Sequence, residues 1–150
     1  MKAIFVTLLT LLSIQSFAAY NGVLLEKIYQ TGFVPDDKAF ALDCKIYSDK
    51  ITIKYQKIGL VKTIQLQKQI ESDTLALIDQ AATGEITSIK APTDIGYRIY
   101  TAIQVLNNDT IKAIDLGSIK DSDVITKNLS PAAATLKTYL DTTCDAALKM

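Results

Sequence analysis

The chain has no histidine and no tryptophan, a single arginine at position 98, two cysteines, six glycines and three prolines. Without an imidazole it cannot build a Ser-His-Asp triad, a Cys-His dyad or a zinc site that uses histidine. The sparse glycines fall into no GxxxxGK[ST], GxGxxG or GxSxG pattern, so no known phosphate cradle or nucleophile elbow is present. A basic excess is missing too. Lys+Arg is 16 and Asp+Glu is 16, and removing Lys2 with the leader leaves 15 against 16. Such a chain has no surplus positive charge to neutralise phosphates, which argues against nucleic acid as a partner.

What remains is an ordinary globular composition. Hydrophobic residues make up 49% and charged residues 21%, enough apolar surface to close a core, and 150 residues is the length of one domain. Residues 1–18 read as a secretory leader. Lys2 is a short positive region, Ala3 to Ile14 is an apolar run broken by Thr7, Thr10 and Ser13, and Ser16-Phe17-Ala18 supplies small residues for cleavage before Ala19. The run is short of the roughly 20 apolar residues a spanning helix needs. The expected mature chain is therefore residues 19–150, a single exported domain, secreted or periplasmic, with no membrane insertion after cleavage.

Export decides how Cys44 and Cys144 are read. Their spacing excludes a C-x-x-C redox motif, and in an oxidising compartment an even pair points to one structural disulfide. Local pattern supports the pairing. Phe40, Leu42, Cys44 and Ile46 alternate with Ala41, Asp43, Lys45 and Tyr47, the signature of a half-buried strand. Leu136, Leu140, Cys144 and Ala147 follow at helical spacing after Ser130-Pro131, an N-cap and a proline suited to the first helical position. A bridge between those apolar faces pins the last helix to the sheet through the core. In the chain-entropy model a loop of about a hundred residues is worth up to ~4.7 kcal/mol.

Further alternation predicts strands from Lys50 to Gln56 and from Leu60 to Gln67, joined by turns at Ser48-Asp49 and around Lys57-Ile58-Gly59. One face of this meander, with Lys50, Thr52, Lys54, Gln65 and Gln67, is wet. Val23 to Gln30 suggests a fourth strand, although its apolar residues fall on both faces. Ser72 reads as the N-cap of a helix ending near Gly84, with Leu75, Ile78 and Ala82 on one face. Tyr97–Leu106 and Thr110–Leu116 form a hairpin about Asn107-Asn108-Asp109. The expected fold is α+β, order β-βββ-α-ββ-α, a mainly antiparallel sheet with two helices packed on one face and one disulfide.

Few residues point to chemistry. Asp121-Ser122-Asp123, with Asp115 nearby, is a weak candidate for a divalent cation, since hard cations take oxygen ligands. It lacks the glycine and bidentate glutamate of an EF-hand loop, and a solvated loop is the plainer reading. Ser48-Asp49-Lys50, Ser88-Ile89-Lys90 and Ser118-Ile119-Lys120 hold Ser and Lys two apart, without the S-x-x-K spacing of penicillin-binding enzymes, and read as turn and surface positions. Neither Asn108-Asp109-Thr110 nor Asn128-Leu129-Ser130, two formal glycosylation sequons, speaks to function.

Residues 85–96 are long for a connection between a helix and a hairpin. The simpler expectation is that their isoleucines tuck under the sheet edge, or that the segment adds an edge strand. As a projecting recognition loop it would instead offer Ile86, Ile89, Lys90, Pro92 and Ile95, with Lys90 available to an acidic pocket as in protease inhibitors. The functional expectation is an exported, disulfide-stapled, non-catalytic binding module whose partner is another protein, a protease inhibitor being one form of it. No catalytic residue and no cofactor is assigned. The alternative is a small Asp/Lys-based or metal-dependent hydrolase with its site near residues 115–123.

Overall fold

A computed structural model of the chain describes residues 20–32, 34–92, 96–106, 110–120 and 124–148. The leader with its cleavage point, Ile95, the Asn107-Asn108-Asp109 turn, Asp121, Asp123 and the side chain of Ala147 lie outside the described residues.

The elements run β1 (Leu25–Gln30), a 3-10 turn (Asp36–Lys38), β2 (Phe40–Ile46), β3 (Lys50–Lys57), β4 (Leu60–Gln67), α1 (Ser72–Ala81), β5 (Ile86–Lys90), β6 (Tyr97–Val105), β7 (Ile111–Lys120), β8 (Val124–Asn128) and α2 (Pro131–Leu148). Among the described residues eight strands join one sheet, in the order β4-β3-β2-β1-β6-β7-β8-β5, with antiparallel neighbours throughout. The chain is thus α+β, mostly sheet, with a Cys44–Cys144 disulfide across 100 residues, Cα atoms 6.1 Å apart.

Cross-strand register explains where the core lies, because directly opposed residues share a face. One row runs Ala102, Leu25, Ile46, Ile51 and Leu66, and the next runs Tyr100, Lys27, Cys44, Ile53 and Ile64. Cys44 places both rows on the face that α2 covers. Leu25, Cys44, Ile53, Leu136, Leu140 and Cys144 are all fully buried there. The meander and the cysteine pairing therefore match their alternation, and the opposite face of β3 and β4 carries Thr52 against Gln65 and Lys54 against Thr63.

α2 begins as its sequence dictates: Ser130 Oγ accepts the Ala132 amide at 3.2 Å. α1 differs from expectation at its start and on its face. Glu71 is the cap and Ser72 the first helical residue, so the serine makes no capping bond. Its buried residues are Thr74, Ile78 and Ala81, because α1 wedges between α2 and β6, leaving Leu75 and Ala82 on the flank.

Two strands add to the order: residues 86–90, where an edge strand was one expectation, and 124–128, which was not expected; they pair with each other and lengthen the sheet past β7. β7 itself continues to Lys120 through a bulge opposite Tyr100 and Thr101. Gly117 sits there at φ 138°, a backbone conformation that favours glycine.

Candidate functional site

Within the segment 85–96, residues 86–90 form a strand, as one form of the simpler expectation had it. β5 pairs with β8 in the register Ile86 to Asn128 through Lys90 to Val124, and its other side is the edge of the sheet. All five residues are exposed, with Ile86 at 46% and Ile89 at 65%, so these isoleucines do not tuck beneath anything. Being three apart in a strand, they project from opposite faces. Ala91, 6% exposed, anchors the segment where it leaves the sheet, and Pro92 is exposed beyond it.

Of the acidic region near 115–123, Asp121 and Asp123 lie outside the described residues. Asp115 lies within β7, and its carboxylate holds the bulge together. Oδ1 accepts the Gly117 amide at 2.8 Å, while Oδ2 accepts the Ser118 hydroxyl at 3.1 Å and the Thr126 hydroxyl at 2.7 Å. Ser118, expected at the surface, is 3% exposed and gives its amide to Thr126 Oγ1 at 3.0 Å. These bonds engage the Asp115 carboxylate and the Ser118 hydroxyl within the bulge. Among the described residues no three histidine, cysteine, aspartate or glutamate side chains gather in a metal-binding group.

A second constellation was not singled out from the sequence. On the helix side of the sheet, beyond the two core rows, a third row runs Arg98, Tyr29, Leu42, Tyr55 and Lys62. Phe40 leans across it, its ring 6.0 Å from Tyr29 and 6.3 Å from Tyr55 between centroids. Here a cavity of about 370 Å³ opens between the strands and the last turns of α2, lined by Lys27, Tyr29, Phe40, Leu42, Arg98, Tyr100, Asp141 and Asp145.

Its charges are arranged by the two backbones. Lys27 occupies an inward position of β1 between Leu25 and Tyr29, so its ammonium has to find partners over the sheet. Asp141 and Asp145, one helical turn apart on α2, reach it at 2.7 and 3.1 Å. Tyr100 also donates its hydroxyl to Asp141 Oδ1 at 2.9 Å. Burial first, and then the bond to a carboxylate, push the Tyr100 phenol up to about 12. Arg98 stacks on Tyr29 with its guanidinium carbon 5.0 Å from the ring centroid, and Lys137 lies 4.9 Å from that of Tyr100. The signals in the sequence were the lone arginine, a lysine at an inward strand position, and acidic residues at i and i+4 on the last helix.

A larger cavity, about 470 Å³, lies beside it where β1 ends and β2 begins, and is lined by Gln30, Thr31, Asp36, Phe40, Ala41 and Gln56 among others. It brings no opposed charges together. No family model, no curated protein and no solved structure matches the chain.

Proposed function

We propose that the protein is an exported, non-catalytic binding module whose free sheet edge, β5, takes up an extended segment of another protein. The observation that carries this reading is an edge strand exposed at every residue, with an isoleucine on each face and no charge between Glu85 and Lys90. A sheet edge presents unpaired amides and carbonyls that can hydrogen-bond an incoming strand, and alternate side-chain contacts then supply selectivity. The opposite edge is guarded. β4 carries Lys62 at an interior position, where its charge opposes pairing, whereas the lysine of β5, Lys90, is its last residue. The favoured partner segment is extended and apolar at the positions that meet Ile86 and Ile89.

The leader and the disulfide support export, since bridges persist in oxidising compartments. The missing imidazole and the engagement of Asp115 and Ser118 in the bulge support a role without catalysis.

The test is partner capture by the oxidised protein, residues 19–150, from envelope and secreted fractions, beside an Ile89→Lys variant. The expected result is a saturable partner lost with Ile89→Lys, whose binding slows hydrogen exchange across residues 86–90. A partner held equally by the variant, protection confined to another element, or no partner at all would overturn the reading. Concentration-dependent self-association through β5 would replace the partner with a second copy.

A further inference from the structure

The aromatic row and its charged rim lie on the helix side of the sheet, separate from the β5 edge, and they have a chemistry of their own. We propose that this cavity is a small-molecule site for a zwitterion, a ligand with a free ammonium and a free carboxylate on an aromatic or aliphatic frame.

Size comes first. At about 370 Å³ the space suits a ligand of amino-acid dimensions and lies near the lower end of ordinary small-molecule pockets. Its floor is apolar, built from Tyr29, Phe40 and Leu42, so a ring or branched chain can displace water there.

Charge then selects the ligand class. The lining holds two cations, Lys27 and Arg98, and two carboxylates, Asp141 and Asp145. A ligand of one sign meets as much repulsion as attraction, whereas a zwitterion can set each charge against its opposite. Lys27 and Asp141 are already occupied by each other, by Asp145 and by Tyr100. What stays open is Arg98 and Asp145. The guanidinium of Arg98 has no carboxylate partner among the described residues, and its planar fork suits a carboxylate. Asp145 is 57% exposed, with Lys27 as its ion-pair partner, and keeps acceptor capacity for an ammonium.

Spacing agrees with the pairing. Arg98 precedes Tyr100 by two residues on β6, about 7 Å along the strand. Tyr100 lies under the acidic turns of α2 through its bond to Asp141. Two charge-assisted contacts of about 2.8 Å each, with an amino-acid head group between them, span that order of distance.

The test uses the oxidised protein with L-phenylalanine and L-leucine as probes, followed by calorimetry and by amide chemical shifts. N-acetyl-phenylalanine removes the ammonium and phenylalaninamide removes the carboxylate. The expected result is saturable binding of at least one free amino acid, weakened about tenfold or more by either block. Arg98→Ala should weaken the free amino acid while leaving the amide unchanged, and Asp145→Asn should leave N-acetyl-phenylalanine unchanged. Both substituted positions are solvent-facing, so the fold persists, as circular dichroism will check. No binding of either amino acid at millimolar concentration overturns the proposal. So does equal binding of the blocked and free forms, or binding whose shifts fall outside β1, β2, β6 and α2.

Discussion

Lys27 Nζ sits 2.7 Å from Asp141 Oδ1, yet the two partners are unequally wet: the lysine side chain is 8% exposed and the aspartate 44%. The cation has therefore lost most of its water, while its partner has kept about half. Each side of the pair should respond differently to removal.

A Lys27→Met substitution keeps the stem that packs between Leu25 and Tyr29 and deletes the charge. Stability is expected to change by no more than about 1 kcal/mol, since an apolar isostere removes the desolvation cost together with the ion pair. Asp141→Asn with Asp145→Asn leaves a buried ammonium without a counter-charge. Fully buried pairs broken on one side lose about 3–5 kcal/mol; with carboxylates this exposed, about 2 kcal/mol is expected. Urea unfolding of the three proteins, with unchanged m-values, measures the contrast.

Tyr100 gives the fold an alkaline limit. Its phenol is raised from 10.0 to about 12, so between those values the folded protein holds a proton that the unfolded chain releases. Stability falls with pH wherever the folded state binds more protons. The contribution is therefore complete below pH 10 and is lost as pH rises toward 12. Tyr139 is raised as well by burial, so the clean measurement is a comparison. Tyr100→Phe should show a shallower loss of unfolding midpoint above pH 10 than the parent, and a phenolate absorbance titration should lose its last-titrating tyrosine.

The turn between β3 and β4 holds an avoidable cost. Ile58 has φ 50° and Gly59 φ 72°, the left-handed pair of a type I′ hairpin. Asparagine and glycine favour that turn, whereas a β-branched residue at positive φ is an outlier. Ile58 is 63% exposed, so little packing is lost by changing it. Ile58→Asn is expected to stabilise the protein by about 1 kcal/mol, read as a higher unfolding midpoint.

Local patterning was enough for the meander, the last helix and the cysteine pairing, because each pairs neighbouring segments or puts apolar residues on one regular face. It fails where a partner lies far off. The strand Ile86–Lys90 is exposed throughout, so it carries no alternation to detect, and it exists through pairing with Val124–Asn128. The bulge at Asp115–Gly117 breaks the period of β7, so the strand reads as ending at Leu116 although it runs on to Lys120. Lys27 obscured β1 for a related reason: a charge on the inward face reads as a break in hydrophobicity until Asp141 and Asp145, more than a hundred positions later, come over it. Residue types at that site were visible, but their convergence was not.

The place of β1 bears on how the protein is made. Pairing with β2 on one side is available early, yet its other neighbour, β6, begins only at Tyr97. During vectorial synthesis β1 to β4 can therefore assemble as a half-sheet, while the strand destined for its centre lines an open border. That border closes when Tyr97–Val105 arrives, a long-range docking step of the kind that slows folding. Until then the nascent chain exposes two edges at once, one of them transient and carrying Leu25, Ile28 and Tyr29. For this fold the interval most open to aggregation falls midway through the chain, and a holding chaperone would be needed at that stage more than at the end.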